Sequence, residues 1–248
     1  MEIIMKIIIN GAGGHMGREI CRLATEGMRD SSLAAKVDKM GGEDVYTSIR
    51  DFSGEADVII DFSHHTAAPE VAEYAAERGM ALVMATTGHT EEELSAINEA
   101  AKKVPVFMSA NMSLGVALLA ELAKKTAEVF PDADIEIIEK HHNRKLDAPS
   151  GTALMIAKAI ETVRRGCKFV YGRYGQQKRE VGEIGIHAIR GGNIVGEHEV
   201  IVCTDTQIIT LKHQAQSRSL FAEGAMAAAA FVCGRSAGFY DMNDIAKG

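Results

Sequence analysis

The chain has 248 residues, 46% of them apolar and 25% charged, a mix that suits a soluble globular protein of one large domain or two modest ones. Its net charge of −7 argues against a nucleic-acid-binding or polybasic membrane-binding surface, so neither nucleic acid nor membrane is expected as a partner. No apolar run approaches the roughly 20 residues of a membrane span, and Met1 to Asn10 leads straight into a strand pattern without a signal-peptide cleavage region. A cytoplasmic protein is expected. Cys21, Cys167, Cys203 and Cys233 are far apart with no C-x-x-C, which reads as free thiols rather than a disulfide or zinc framework.

Ile3 to Ile9 is apolar and β-branched except at Met5 and Lys6, the pattern of a buried parallel strand. It runs into Gly11-Ala12-Gly13-Gly14-His15-Met16-Gly17 and then a helical stretch from Arg18 to Glu26. Strand, glycine turn and helix form the setting of a dinucleotide-binding turn, here spaced G-x-x-G-x-x-G through Gly11, Gly14 and Gly17. The next strand, Leu33 to Val37, ends at Asp38, about 20 residues on, where a ribose hydroxyl would be bound. Lys39 follows and could attract a 2′-phosphate, so the pair leaves NADH and NADPH both open. Val58 to Phe62 is a further strand, with Asp61 near its end and Ser63-His64-His65-Thr66 as a loop close to the cofactor, before a helix from Ala67 to Arg78 closed by Gly79. No metal site is expected there, because no further ligands stand at suitable spacing. Ala81 to Ala85 is a strand leading to Thr86-Thr87-Gly88; a helix from Thr90 to Lys103 opens with capping-box spacing between Thr90 and Glu93. Val104 to Ser109 closes the series on Ala110-Asn111-Met112-Ser113. Repeated β-α units imply a Rossmann-type doubly wound parallel sheet through Met112.

Beyond Met112 the pattern changes. A long helix is expected from Ser113 to Val129, then a strand from Ile135 to Glu139 and a helix from Gly151 to Arg164. After a glycine- and charge-rich segment, Arg173 to Glu183, come three strands: Ile184 to Arg190, Ile194 to Cys203 and Gln207 to His213. Gly191-Gly192-Asn193 reads as a hairpin turn between the first two, and Thr204-Asp205-Thr206 as the turn between the next. This predicts a mixed α+β domain with an antiparallel meander, whose exposed face or edge suits subunit contact. An alanine-rich helix from Arg218 to Cys233 is expected to cross back onto the first domain, and the tail to end without a further strand. The expected division is 1–112 with 219–248 for dinucleotide binding, and 113–218 for substrate binding and oligomerisation.

Between these domains' motifs the richest chemistry is in Glu139 to Thr152, E-K-H-H-N-R-K-L-D-A-P-S-G-T. It sets His141, His142, Arg144, Lys145 and Asp147 within seven positions and ends on Ser150, a good N-cap, with Gly151 and Thr152 at the positive end of a helix. Imidazole and ammonium beside an anion-binding helix start are what proton donation to a small acidic substrate needs.

With these motifs quoted, the chain resembles the 4-hydroxy-tetrahydrodipicolinate (dihydrodipicolinate) reductase family of lysine and diaminopimelate synthesis over essentially its whole length. The amino-terminal G-A-G-G-H-M-G, A-T-T-G from Ala85, A-N-M-S from Ala110 and H-H-x-x-K-x-D-A-P-S-G-T carry the resemblance, with V-G-E-H from Val195 and Gln216-Ser217-Arg218 in agreement. The resemblance implies hydride transfer from NADH or NADPH to a small dicarboxylate cyclic imine. It makes His141 a proton donor or acceptor, Lys145 the proton donor, and His142, Gly151 and Thr152 substrate contacts. It places the cofactor on Gly11, Ala12, Gly13, Gly14, His15, Met16, Asp38, Ala85, Thr86, Thr87, Ser109, Ala110, Asn111 and Met112, and implies a homotetramer built through the carboxy-terminal sheets. Two departures from the family pattern stand out. The segment from Asp38 to Asp57 is short, which opens the adenosine side, and Lys39 stands where some relatives carry arginine.

Rival readings are weaker on the residues. A homoserine or aspartate dehydrogenase leaves H-H-x-x-K beside the Ser-Gly-Thr cap unexplained. A semialdehyde dehydrogenase needs an activated cysteine, and a redox-responsive regulator needs a basic recognition helix; neither is evident.

Overall fold

Ile7, Ile8 and Ile9 are fully buried on both faces of the first strand, and the parallel sheet is laid out from that strand. The computed structural model describes residues 4–247, so Ile3, the expected start of this strand, and Gly248 lie outside the described residues. Elements run β1 Met5–Asn10, α1 His15–Thr25, β2 Ser31–Val37, β3 Val45–Tyr46, β4 Val58–Asp61, α2 Ala68–Arg78, β5 Ala81–Met84, α3 Glu91–Ala101 and β6 Pro105–Met108. They continue with α4 Leu114–Val129, β7 Asp134–His141, α5 Gly151–Glu161, β8 Lys168–Tyr171, β9 Glu183–Arg190, β10 Gly196–Cys203, β11 Ile208–Ala215, α6 Ser219–Val232, β12 Gly238–Tyr240 and α7 Met242–Lys247. Contacts divide the chain into two units, one running to Ser113 and resuming at Ser219–Ala246, the other Leu114–Arg218.

In the first unit seven strands lie in the order β12-β6-β5-β4-β1-β2-β3, and every neighbouring pair is parallel. Strand order reverses at β1, whose neighbours are β2 and β4, and ligands bind beyond the carboxyl ends of strands at such a switch. One sheet face is covered by α2 and α3, whose Val71, Ala72, Tyr74, Ala75, Ile97 and Ala100 join Ile8, Ile59 and Leu82 in a single core. Thr90 and Glu93 form the expected capping box at the start of α3, and Gly79 ends α2 in the left-handed conformation at φ +65°. The alanine-rich α6 packs on β4, β5 and β6, while α1 packs against α6.

The tail departs from expectation. β12 pairs with β6, and α7 follows it. A three-residue edge strand carries too short a periodicity to announce itself. Phe231 of α6 locks it in place, edge-to-face with both Phe107 of β6 at 6.3 Å and Tyr240 of β12 at 5.9 Å.

The second unit is a five-stranded sheet in the order β11-β10-β7-β9-β8. It is mixed, and the expected meander is corrected here. β10 and β11 do form an antiparallel hairpin, but β9 runs parallel to β7 while β10 runs antiparallel along β7's other side. Gly191-Gly192-Asn193 therefore carries the chain over the end of β7 instead of folding β9 onto β10. Hydrogen bonds place it there: Gly191 N–H donates to the His141 carbonyl at 2.9 Å, and Asn143 N–H to the Gly192 carbonyl at 3.2 Å. β8, parallel to β9, was not expected either. On one face of this sheet Ile135, Ile137, Ile184, Ile186, Val200 and Val202 are buried under α4 and α5, which contribute Leu119, Ala123, Ile156 and Ile160. Each such side chain stabilises the unit by about 1.5–3 kcal/mol.

Gly224 shows how closely α6 approaches the first sheet's loops: a Cβ there would fall 1.6 Å from the Met112 carbonyl oxygen. Helix propensity favours Gly→Ala by roughly 0.5–1 kcal/mol, but a forced backbone shift costs about 1–3 kcal/mol, so the clash wins. Gly224→Ala is expected to lower the urea midpoint of unfolding; an unchanged or raised midpoint would show that the Met112 loop yields freely.

Candidate active site

The glycine turn after β1 is shaped by backbone contacts that side chains would destroy. A Cβ on Gly11, which sits at φ +82°, would lie 2.7 Å from the Phe62 carbonyl oxygen, and one on Gly17 only 2.0 Å from the Gly11 carbonyl oxygen. Glycine at 17 thus lets α1 seat directly on the turn. Gly14 caps α1 with no side-chain hydrogen bond, and the first turn carries no acid, so the amides at this helix start remain open to an anion.

Asp38 closes the turn from the end of β2. Its carboxylate accepts hydrogen bonds from Gly13 N–H at 2.9 Å and Met40 N–H at 3.0 Å. A cavity of about 300 Å³ lies at the strand-order switch, lined by Gly11, Gly14, Asp38, Lys39, Ser63 and His64 among others. Its far wall is built from Thr47, Ser48 and Glu70, in the short segment after Asp38 and on α2. A second, more open depression is lined by Ser63, His64, His65, Ala85, Thr86 and Thr87. A dinucleotide fits these residues, because the glycine cradle, the uncapped helix start and the acid after β2 are the three parts such a ligand requires.

One feature of this unit was not singled out from sequence as a site part. Asp61, fully buried at the end of β4, accepts from Asn10 Nδ2 at 2.6 Å, from Ser63 Oγ at 2.6 Å and from Thr86 Oγ1 at 2.6 Å. One carboxylate thereby fastens the loops after β1, β4 and β5 to each other. The His64-His65 pair divides its work: His64 lines the cavity, while His65 Nδ1 lies 2.9 Å from Glu93 in the α3 capping box. His15 and Met16 occupy the first turn of α1, and Ala12 is buried in the turn. Ser109, Ala110, Asn111 and Met112 follow β6 and line neither opening; Ser109 Oγ donates to the Asn111 carbonyl at 2.9 Å, and Met112 is buried.

In the second unit His141 is the last residue of β7, inside the strand and not in the loop where sequence placed it. Two residues earlier on the same face is Glu139, fully buried. Glu139 Oε2 lies 2.6 Å from His141 Nδ1 and accepts from Arg190 Nη1 at 2.8 Å; Oε1 accepts from Arg190 Nη2 at 2.7 Å and from Ser150 N–H at 2.9 Å. Burial alone would raise the Glu139 carboxyl, but its hydrogen bonds from Arg190, His141 and the Ser150 amide outweigh it and hold the group below the usual range. His198 of β10 stands edge-to-face with His141 at 5.2 Å, its Nε2 3.2 Å from Ser150 Oγ. Burial, reinforced by the neighbouring His141, pushes His198 down to about 4, so it stays neutral near pH 7.

Lys145 lies in the turn after β7, its N–H donating to the His142 carbonyl at 3.2 Å and its ammonium paired with Asp147 at 2.9 Å. That ammonium is the first cause holding the Asp147 carboxyl low, and the Gly151 amide adds to it, so Asp147 links Lys145 to the start of α5. Ser150 caps α5 as expected, accepting from Ala153 N–H at 3.2 Å. Gly151 and Thr152 are the first two residues of the helix, and a Cβ on Gly151 would meet only open space. His142 has its Nδ1 buried without a hydrogen-bond partner among the described residues, and desolvation, then the charges of Arg144, Arg218, His141 and Lys145, push it down. Arg190 also donates to the Asp147 carbonyl at 2.6 Å, so it braces the loop as well as Glu139. Sequence passed over Glu139, Arg190 and His198 as chemistry. The available signal was the acid at 139 inside an apolar strand, which demands a buried partner.

Burial pushes the Cys21, Cys167 and Cys233 thiols up, Cys233 to about 11, the opposite of an activated nucleophile. Among the described residues no group of three or more His, Cys, Asp or Glu is placed to hold a metal, and no helix is long and apolar enough to cross a membrane.

A glycine-turn nucleotide cradle at a sheet switch, closed by an acid after the second strand, is the build of a pyridine-nucleotide-dependent oxidoreductase. Family models for the dihydrodipicolinate reductase N-terminus and C-terminus match residues 5–112 and 115–246, and the chain belongs to that family. It is 48% identical to the 4-hydroxy-tetrahydrodipicolinate reductase of Caldanaerobacter subterraneus subsp. tengcongensis, over 99% of both chains. It is 42% identical to that of Clostridium tetani, over 97% of this chain and 96% of the other. The fold matches a dipicolinate-bound dihydrodipicolinate reductase from Paenisporosarcina sp. TG-14 with a TM-score of 0.83 at 24% identity, covering 98% of this chain and 100% of that one. The activity is reduction of 4-hydroxy-tetrahydrodipicolinate with hydride from NADH or NADPH, in lysine and diaminopimelate synthesis.

His198 gives this site an acid-sensitive edge. Its folded-state value of about 4 lies below the unfolded value near 6.5, so its contribution is complete above the unfolded value and lost as pH falls toward about 4. His142 and His213, also pushed down, act with the same sign. Urea unfolding at pH 7.5 and pH 4.5 is expected to show this loss, and His198→Gln to reduce it by on the order of 2–4 kcal/mol. An equal acid loss in wild type and variant would assign the effect elsewhere.

Proposed function

We propose that the second unit is where the substrate's chemistry is done, with His141 and Lys145 as the proton-handling groups and His142, Gly151 and Thr152 as substrate contacts. The observation that carries this reading is the convergence on one strand end and one helix start: His141 backed by Glu139, Lys145 tied through Asp147 to the Gly151 amide, and open space before Gly151. The substrate is a cyclic imine with two carboxylates. One carboxylate is received at the start of α5 by the amides of Gly151 and Thr152, where Asp147 now lies close, and Lys145 supplies countercharge.

In this reading the first unit is the dinucleotide-binding domain. Gly11, Ala12, Gly13, Gly14, His15 and Met16 hold the pyrophosphate, Asp38 and Lys39 face the adenosine ribose, and Ala85 to Thr87 with Ser109 to Met112 receive the nicotinamide side. Bound NADH or NADPH supplies the hydride. Overall one hydride and one proton enter the substrate and one water leaves. Loss of the 4-hydroxyl as water leaves a conjugated C=C–C=N system; hydride addition at its carbon end displaces electron density toward the far end, where a proton from Lys145 or His141 neutralises it. General acid catalysis of this kind contributes about 10²–10⁴-fold, or roughly 3–5 kcal/mol.

The enzyme is further a cytoplasmic homotetramer assembled through the five-stranded sheets. Supporting this, the sheet face opposite α4 and α5 has no helix of its own unit among the described residues, and Ile189 and Ile208 on its strands are exposed at 45% and 68%. Light scattering on the eluting protein is expected to give four times the 26.7 kDa chain mass; a monomer mass would overturn the assembly.

Cofactor oxidation, followed with substrate generated in place by a coupled synthase, tests the site. Lys145→Ala is expected to cut turnover by about 10²–10⁴-fold while leaving the KM for NADH or NADPH nearly unchanged. Equal loss of turnover and cofactor affinity would remove Lys145 from the proton-donor role. The ratio of the two cofactor rates in wild type reads out what Asp38 and Lys39 select.

A further inference from the structure

Glu139 is an unusual resident of a central strand: an acid with no exposed surface, in line with Ile135 and Ile137, which fill the core. Its two oxygens take hydrogen bonds from His141, from both terminal nitrogens of Arg190 and from the Ser150 amide, so its acceptor sites face donors on three elements: β7, β9 and the α5 cap. A carboxylate fully occupied in this way has no freedom to rotate. Arg190 is restrained in turn by the Ile189 and Asp147 carbonyls.

We propose that Glu139 and Arg190 are positioning residues that hold His141 in one tautomer and one orientation for proton transfer, an inference that rests on the role given to His141 above. An ionised carboxylate only accepts, so His141 must present Nδ1–H to it at 2.6 Å, and the neutral ring must carry its lone pair on Nε2. Nε2 makes no hydrogen bond among the described residues. Gly196 at the start of β10 keeps its surroundings clear, since a Cβ there would come within 3.1 Å of Nε2. The other groups around the ring do not compete for it. His198 contributes a ring edge at 5.2 Å and has its own Nε2 engaged by Ser150 Oγ. Lys145 is paired to Asp147. An acid behind the far nitrogen of a catalytic imidazole fixes which nitrogen does the work, and losing it in other enzymes lowers turnover by large factors even when the geometry survives. Arg190 contributes by keeping Glu139 ionised and still, bidentate on the carboxylate.

The test combines a spectroscopic signature with a kinetic cycle. Nitrogen-15 shifts of His141 in the wild-type protein, recorded across a pH series, are expected to show the Nδ1–H tautomer for the neutral ring; finding Nε2–H would overturn the proposal without any variant. Glu139→Gln is expected to shift that population toward Nε2–H and lower kcat on the order of 10²-fold, with the cofactor KM unchanged. Glu139→Asp should recover part of the loss. Because the effect passes through His141, adding Glu139→Gln to His141→Asn should cost little more than His141→Asn alone. Full additivity of the two losses would mean that Glu139 serves the fold only, and the proposal would fall. If His141→Asn retains wild-type turnover, the assigned role of His141 fails instead, and the nitrogen-15 result still reports whether Glu139 sets the ring.

Discussion

A single buried negative charge governs the second unit. Glu139 cannot stand in the core of a sheet without compensation, since an unpaired carboxylate there would cost several kcal/mol. The chain meets that demand from three directions, with Arg190 from β9, the Ser150 amide from the cap of α5 and His141 from its own strand. The ends of β7, β9 and α5 are therefore brought to one point by electrostatics, where apolar packing alone would leave them free to slide. The same requirement explains the sheet's mixed order. Arg190 reaches Glu139 because β9 runs parallel beside β7, with Arg190 in register with His141; a β9–β10 hairpin would remove it.

The two units solve their binding problems with different materials. In the first, the cradle is almost all backbone: Gly11 and Gly17 are required by close approach, and the helix start is left uncapped. Asp61 then ties three loops together from beneath through Asn10, Ser63 and Thr86. In the second, the clustered groups are side chains whose settings depend on one another, and removing one leaves others buried and unpaired. Backbone cradles tolerate neighbours of many kinds, whereas a side-chain cluster of this sort is a closed set.

This difference decides what could be read without coordinates. The β-α repeats up to Met112, the Ser150 cap and the Thr90–Glu93 capping box are local patterns, and each lies close to where its spacing put it, although α1 begins at His15, three residues ahead of the expected Arg18, and the two-residue β3 was not expected. The hairpin at Gly191-Gly192-Asn193 misled because a glycine turn reports only that the chain reverses, not which strand has been inserted between its arms. β7 occupies that gap, an outcome set by pairing 50 residues away. β12, of three residues, is too short to show a period, and β8, with no buried residue, lacks the buried-strand signature of β4 and β5; both pair onto strands already present. His141 lies in the strand, since Glu139 is pulled inward by partners no local window contains.

Gly196 lies beside the His141 ring, and the open space it leaves at His141 Nε2 has a consequence for how this surface can drift. Glu139, His141, Ser150, Arg190 and Gly196 are scattered along 58 positions of chain yet meet in one contact set. A change at any one of them leaves another group of the set buried and unpaired, or crowded. The five would be expected to be kept, or replaced, together.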